Sequence, residues 1–309
     1  MRLFDFHCDT PFALAKNGEA LTENTCHISL AKAKAYESYG QVMAIWSQKS
    51  LTNEEAWNRF FEVREDFLSK MPKEQTAICT TFAQYREAID ENKRAFFFAV
   101  EGAGLLNGHL DRLSVLYDNG VRFLTPVWRD SDCIGGAFNT DEGLTPFGRE
   151  VVGACFEMGI VPDLSHASDV MTREILAMAE AAGKPVIATH SNSRAVCAHK
   201  RNLTDETATK IAALGGVFGL NLVPFHLADD SNASVETVCD HVMHFLSIGL
   251  GDAIAMGGDL DGMDHTPQGI RHIGDLSSIA RALSARGVGD TQIEKIFCDN
   301  AEQFLTRVF

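Results

Sequence analysis

Residues 3–9 read Leu-Phe-Asp-Phe-His-Cys-Asp. A short apolar, β-prone run ends in a histidine and an aspartate. In an extended chain residues i and i+2 share a face, so His7 and Asp9 point the same way. Cys8 then faces away, into the core. The same design recurs along the chain: a brief apolar run, a polar turn, then a helical stretch. The further runs are 41–46 (QVMAIW), 95–101 (AFFFAVE), 122–127 (RFLTPV), 160–165 (IVPDLS), 185–189 (PVIAT), 216–220 (GVFGL) and 253–257 (AIAMG). Near-continuous apolar runs, rather than alternating ones, mark buried parallel strands.

The intervals read as helices. Thr52-Asn53-Glu54-Glu55 is a capping box ahead of an amphipathic run with Trp57, Phe60, Phe61, Phe67 and Leu68 on one face. Residues 168–182 form a helix that stops at Gly183, with Pro185 beyond. Thr291 opens a last helix toward Phe304. Eight strands alternating with helices predict a (β/α)8 TIM barrel, a single catalytic domain over residues 1–309. A doubly wound sheet is the other architecture with this rhythm. No G-x-G-x-x-G follows the first strand, which weighs against its dinucleotide-binding form. Gly102-Ala103-Gly104 is not that fingerprint.

Composition narrows the function. The chain has 309 residues, 45% hydrophobic and 22% charged, enough apolar material for a large core. Lys and Arg number 27 against 42 Asp and Glu, a net charge of −15. The densest basic cluster is His199-Lys200-Arg201, so nucleic-acid binding is excluded as the main role. No run approaches the ~18 apolar residues of a membrane span. The start lacks a signal-peptide core and the end lacks a lipidation signal, so a cytoplasmic protein without a membrane anchor is expected. None of the eight cysteines forms a C-x-x-C pair, and free thiols are expected.

Five of the eight strand ends carry chemistry. His7 and Asp9 end the first run, and Glu101 ends the third. His166 follows the fifth, His190 the sixth and Asp259 the eighth. In a barrel all of these lie on the C-terminal face. A lone histidine at a strand end is usually structural, and a lone aspartate often caps the next helix. His27, His109, His226, His241, His244, His265 and His272 have no such placement and read as structural. The joint placement of the six is what points to a metal site. Imidazole with carboxylate suits Zn²⁺, with Mn²⁺, Fe²⁺ or Co²⁺ also possible. A glutamate can bridge two ions, and two ions ~3.5–4 Å apart can share a hydroxide. Arg201, followed by Asn202, is either a fork for a substrate carboxylate or an ordinary surface arginine, and Trp128 either lines the pocket or simply packs. Ser165 and Ser191 adjoin histidines but sit in no G-x-S-x-G elbow, which argues against a serine hydrolase.

The motif order H-x-D, E-G, D-L-S-H, T-H-S-N, K-R-N-L and G-G-D-L-D-G resembles the membrane dipeptidase (renal dipeptidase) family, peptidase family M19 of the amidohydrolase superfamily, in a soluble bacterial-type form. The resemblance runs from Asp5 to about Phe304. It implies a two-zinc barrel that hydrolyses dipeptides, including some with a C-terminal D-residue, by a metal-bridging hydroxide. It makes His7 and Asp9 ligands of one ion, His166 and His190 ligands of the other, and Glu101 the bridge. It makes Asp259 the proton carrier and Arg201 the carboxylate anchor, and it implies a homodimer. Two positions depart. Trp128 stands where animal members carry a substrate-facing histidine, and Asn221-Leu222-Val223-Pro224-Phe225 lacks the family's tyrosine. These departures leave open another binuclear amidohydrolase reaction, on N-acyl amino acids, lactams or esters. A non-catalytic barrel is the remaining alternative.

Overall fold

The computed structural model describes residues 1–46 and 53–309. Nine strands occur among them: β1 Leu3–Cys8, β2 Tyr39–Trp46, β3 Thr76–Ile78, β4 Arg94–Glu101, β5 Val121–Thr125, β6 Val161–Pro162, β7 Ile187–Ala188, β8 Val217–Leu220 and β9 Ile254–Met256. All pairings are parallel, in the order β6-β5-β4-β2-β1-β9-β8-β7. A bridge between Asp163 and Ile187 joins the two ends. The result is a nearly closed eight-stranded barrel with helices around it, the (β/α)8 architecture. All eight expected runs contribute a barrel strand. Those at 160–165 and 185–189 are cut to two residues each.

The ninth strand, β3, lies outside that expectation. It pairs with Arg94–Phe96 at the start of β4, below the point where β5 joins at Phe98. Around the barrel, the helix at Asn53–Lys70 buries Ala56, Phe60, Val63 and Phe67. The capping threonine expected for it, Thr52, lies outside the described residues. The helix at Asp169–Ala182 begins at Ser168, whose Oγ accepts from Met171 N at 3.0 Å, and ends at Gly183 with φ of 61°. The expected last helix is interrupted: Asp290–Glu294, a wider π turn at Lys295–Asp299, then Asn300–Val308. No described helix is long and apolar enough to cross a membrane, and all eight cysteines are free.

Two apolar clusters divide the interior. Phe4, Phe6, Val42, Ala44, Phe97, Ala99 and Phe123 pack together with Phe304 and Leu305 of the last helix, filling the barrel. Leu3, Cys8, Met43, Phe96 and Phe98 belong to the second cluster, which the surrounding helices cover. A register shift in β1 matters for the site. Asp5 pairs with Gln41 but Cys8 with Met43, so β1 holds one extra residue there. Phe6 therefore fills the interior while the next residue, His7, reaches the mouth, and Cys8 turns outward as expected.

Candidate metal centre

The mouth is assembled from strand ends. His7, Asp9, Glu101, His190 and Asp259 are buried there, and His166 is nearly so. His166 and Asp259 both sit in the left-handed backbone region, with φ of 70° and 56°. Non-glycine residues rarely adopt it, and such strain gathers at functional sites. Gly262 closes over the carboxylates: a Cβ there would collide with Asp9 Oδ2 and Asp259 Oδ1.

Glu101 stands between two sets of ligand atoms. Its Oε1 lies 2.9 Å from His166 Nε2 and 3.5 Å from His190 Nε2. Its Oε2 lies 3.7 Å from His7 Nε2. His7 Nε2 is in turn 3.9 Å from Asp9 Oδ2 and 4.0 Å from Asp259 Oδ1. Two compact groups result, Glu101–His166–His190 and His7–Asp9–Asp259. The donor set fits divalent ions. His7 Nε2 and Asp9 Oδ1 are buried with no hydrogen-bond partner among the described residues. Buried polar atoms are almost always paired, so these orphans mark places made for another ligand.

The electrostatics agree. Burial pushes His7 down, but Glu101, Asp9 and Asp259 outweigh it and raise the ring to about 10. Burial pushes Glu101 up, and His7 and His166 bring it far below the carboxylate range. Burial, with Glu101 beside it, drives Asp9 well up. Burial also raises Asp259, to about 6, against the pull of His7 and Arg201. His166 falls to about 4 through burial and Arg201. Three packed carboxylates and three imidazoles hold their charges uneasily without a cation.

The remaining candidates flank this core. Arg201 is buried; Nη2 donates to His190 O at 3.5 Å and Nε has no partner among the described residues. Its guanidinium lies 5.9 Å from the Phe138 ring. The Trp128 ring sits 6.3 Å from His166 and 4.7 Å from Trp46. Asn202 turns inward instead: its Nδ2 donates to Cys197 O at 2.9 Å and His226 O at 2.8 Å, bracing the loop that carries Arg201. Sequence reading passed over Asn221, whose Nδ2 donates to Asp259 Oδ2 at 3.2 Å. It also passed over Trp46, Asp163, Thr189 and Gly262. The only signal for these was adjacency, as in Thr189-His190.

Comparison with known proteins agrees with this geometry. A solved dipeptidase AC, a metallopeptidase of family M19, superposes with a TM-score of 0.91 at 27% identity, covering 100% of this chain and 98% of that one. A metallopeptidase from Rhodobacter sphaeroides, bound to a phosphinate mimic of L-Ala-D-Ala, does so at 0.91 and 25%, covering 100% and 99%. Dipeptidase 3 of Rattus norvegicus is 32% identical over 225 residues, 70% of this chain and 45% of that protein. An uncharacterised dipeptidase of Schizosaccharomyces pombe is 28% identical over 211 residues, 66% of this chain and 51% of that protein. The alignments thus span about half the length of these curated relatives. Residues 1–308 match the sequence pattern described as membrane dipeptidase (peptidase family M19), and the chain belongs to that family.

Proposed function

We propose that the chain is a dipeptidase working with two divalent ions, zinc being the best match to its ligands. The observation that carries this reading is Glu101, with one oxygen toward His166 and His190 and the other toward His7. Asp9 completes the His7 side. Bound there, the ions would supply a water of lowered pKa and polarise the substrate carbonyl.

The protein's own groups do the rest. Arg201 receives the free carboxylate of a short substrate. A buried guanidinium with so few acceptors is costly unless an anion pairs with it. Fixing that end positions the scissile bond over the mouth. Asp259 keeps Oδ2 on Asn221, leaving Oδ1 toward the centre. A carboxyl held near 6 can take a proton from water and hand it to the departing amine. Trp128 walls the pocket beside His166. The L-Ala-D-Ala mimic bound by the Rhodobacter sphaeroides relative supports acceptance of a C-terminal D-residue.

The test is a substrate panel with and without chelator: L-X-D-X and L-X-L-X dipeptides beside N-acyl amino acids, lactams and esters. Chelator-sensitive cleavage of dipeptides is the expected result. Cleavage of the other compounds alone would move the substrate, and a metal-loaded protein that cleaves nothing would contradict the enzymatic reading.

A further inference from the structure

Asp163 is a fully buried carboxylate beside the centre that the mechanism does not use. His7, Asp163 and His190 also approach one another closely enough to suggest a third cation site. The hydrogen bonds show what occupies that space. Asp163 Oδ1 accepts from Ser165 N at 3.0 Å and Thr189 N at 2.8 Å. Oδ2 accepts from the hydroxyls of Thr125 and Thr189, both at 2.6 Å. Four donors fill this carboxylate, and the Thr189 hydroxyl stands where a cation would.

A threonine hydroxyl has one proton and two lone pairs. A carboxylate only accepts, so Thr189 gives its proton to Asp163. Ser165 Oγ, neutral and at 3.4 Å, is a weaker acceptor for it than the Asp163 carboxylate at 2.6 Å. The lone pairs of Thr189 Oγ1 then face two rings: His190 Nδ1 at 2.8 Å and, more loosely, His7 Nδ1 at 3.4 Å. Toward that oxygen a ring nitrogen can only donate. His190 must carry its proton on Nδ1, which leaves the Nε2 lone pair aimed at Glu101 and His166. His7 is biased the same way, with Nε2 toward the other ligand group.

We infer that Asp163 and Thr189 are positioning residues that set the ligand tautomer of His190, and secondarily of His7, so that one hydroxyl prepares both halves of the metal centre. This rests on the two-ion reading above. Outer partners of ligand histidines orient the ring and raise its basicity, and their loss typically costs 10–100-fold in metal affinity.

Three variants test it. Thr189→Val removes the acceptor at nearly constant shape, and Thr189→Ser restores it. In Asp163→Asn the backbone amides of Ser165 and Thr189 hold the side-chain oxygen at the Oδ1 position. The new NH₂ then faces Thr189 Oγ1, turning the hydroxyl proton onto His190 Nδ1 and forcing the wrong tautomer. The readouts are zinc dissociation constants by chelator competition and ¹⁵N imidazole shifts of the metal-free protein, with circular dichroism as the folding control. We expect weaker binding of at least one ion by ~10–100-fold in Thr189→Val and Asp163→Asn, near-native binding in Thr189→Ser, and loss of the Nδ1–H signature of His190 in the first two. Should Thr189→Val not fold, Asp163→Asn and Thr189→Ser decide. Native zinc affinity with an unchanged His190 tautomer in the damaging variants, or a serine variant as weak as valine, would overturn the inference. A wild-type protein that binds no zinc would instead defeat the two-ion reading, and the tautomer measurement would still decide the role of Thr189.

Discussion

At the scale of single residues, the centre depends on what is missing as much as on its ligands. Gly262 has no Cβ because the carboxylates of Asp9 and Asp259 occupy that space. Gly262→Ala should therefore displace one of them, weakening metal binding by ~10-fold or more while leaving the circular dichroism spectrum intact; unchanged affinity would count against the packing described. Asp132, in the loop after β5, shows a different economy. Burial pushes its carboxyl up to about 7, although Ile134 N donates to Oδ1 at 2.8 Å. Because its folded value is raised, the stability it contributes is present in full near pH 4 and is lost as pH rises through 7. The slope is on the order of 1 kcal/mol per pH unit. Asp132→Asn keeps an acceptor for Ile134 N and removes the slope. Chemical denaturation of both proteins at pH 4.5 and pH 8 should show the variant gaining on the wild type at the higher pH. The residues gathered at the mouth were legible as candidate ligands because histidine and carboxylate at strand ends are unusual together. The backbone that presents them was not: Asp and His favour positive φ more than most residues, but that preference is too weak to single out His166 and Asp259.

At the scale of elements, legibility follows burial. Parallel barrel strands are covered on both faces, so they read as unbroken apolar runs, and the eight runs could be placed from composition alone. The three residues of β3 are too short to make such a run, and β3 exists because β4 extends below β5. The extra residue in β1 was equally silent, since alternation alone puts Phe6 and His7 on opposite faces. Helix ends were easier. Ser168 caps the helix at Asp169–Ala182 through Met171 N, and Ser168→Ala should cost ~1 kcal/mol. That is a fall of about 2 °C in melting temperature, readable by calorimetry, with no change in metal content. A cost near zero would mean that the cap is replaced by water.

At the scale of the whole molecule, the barrel acts as a rigid frame whose mouth concentrates like charges. Phe4, Phe6, Phe97 and Phe123 fill the interior with aromatic rings 4.8–6.3 Å apart, so the ligands stand on a floor that cannot collapse. If the folded state is what binds the proposed cations, adding them should raise the melting temperature and chelator should lower it. In the proposed centre one glutamate serves two ions. The most direct test is to titrate zinc into the metal-free protein and into Glu101→Gln, counting ions bound per chain. Two tight ions are expected in the wild type, with loss of affinity for both in the variant. A variant that still binds two ions, or loses only one while the other keeps its wild-type affinity, would contradict it.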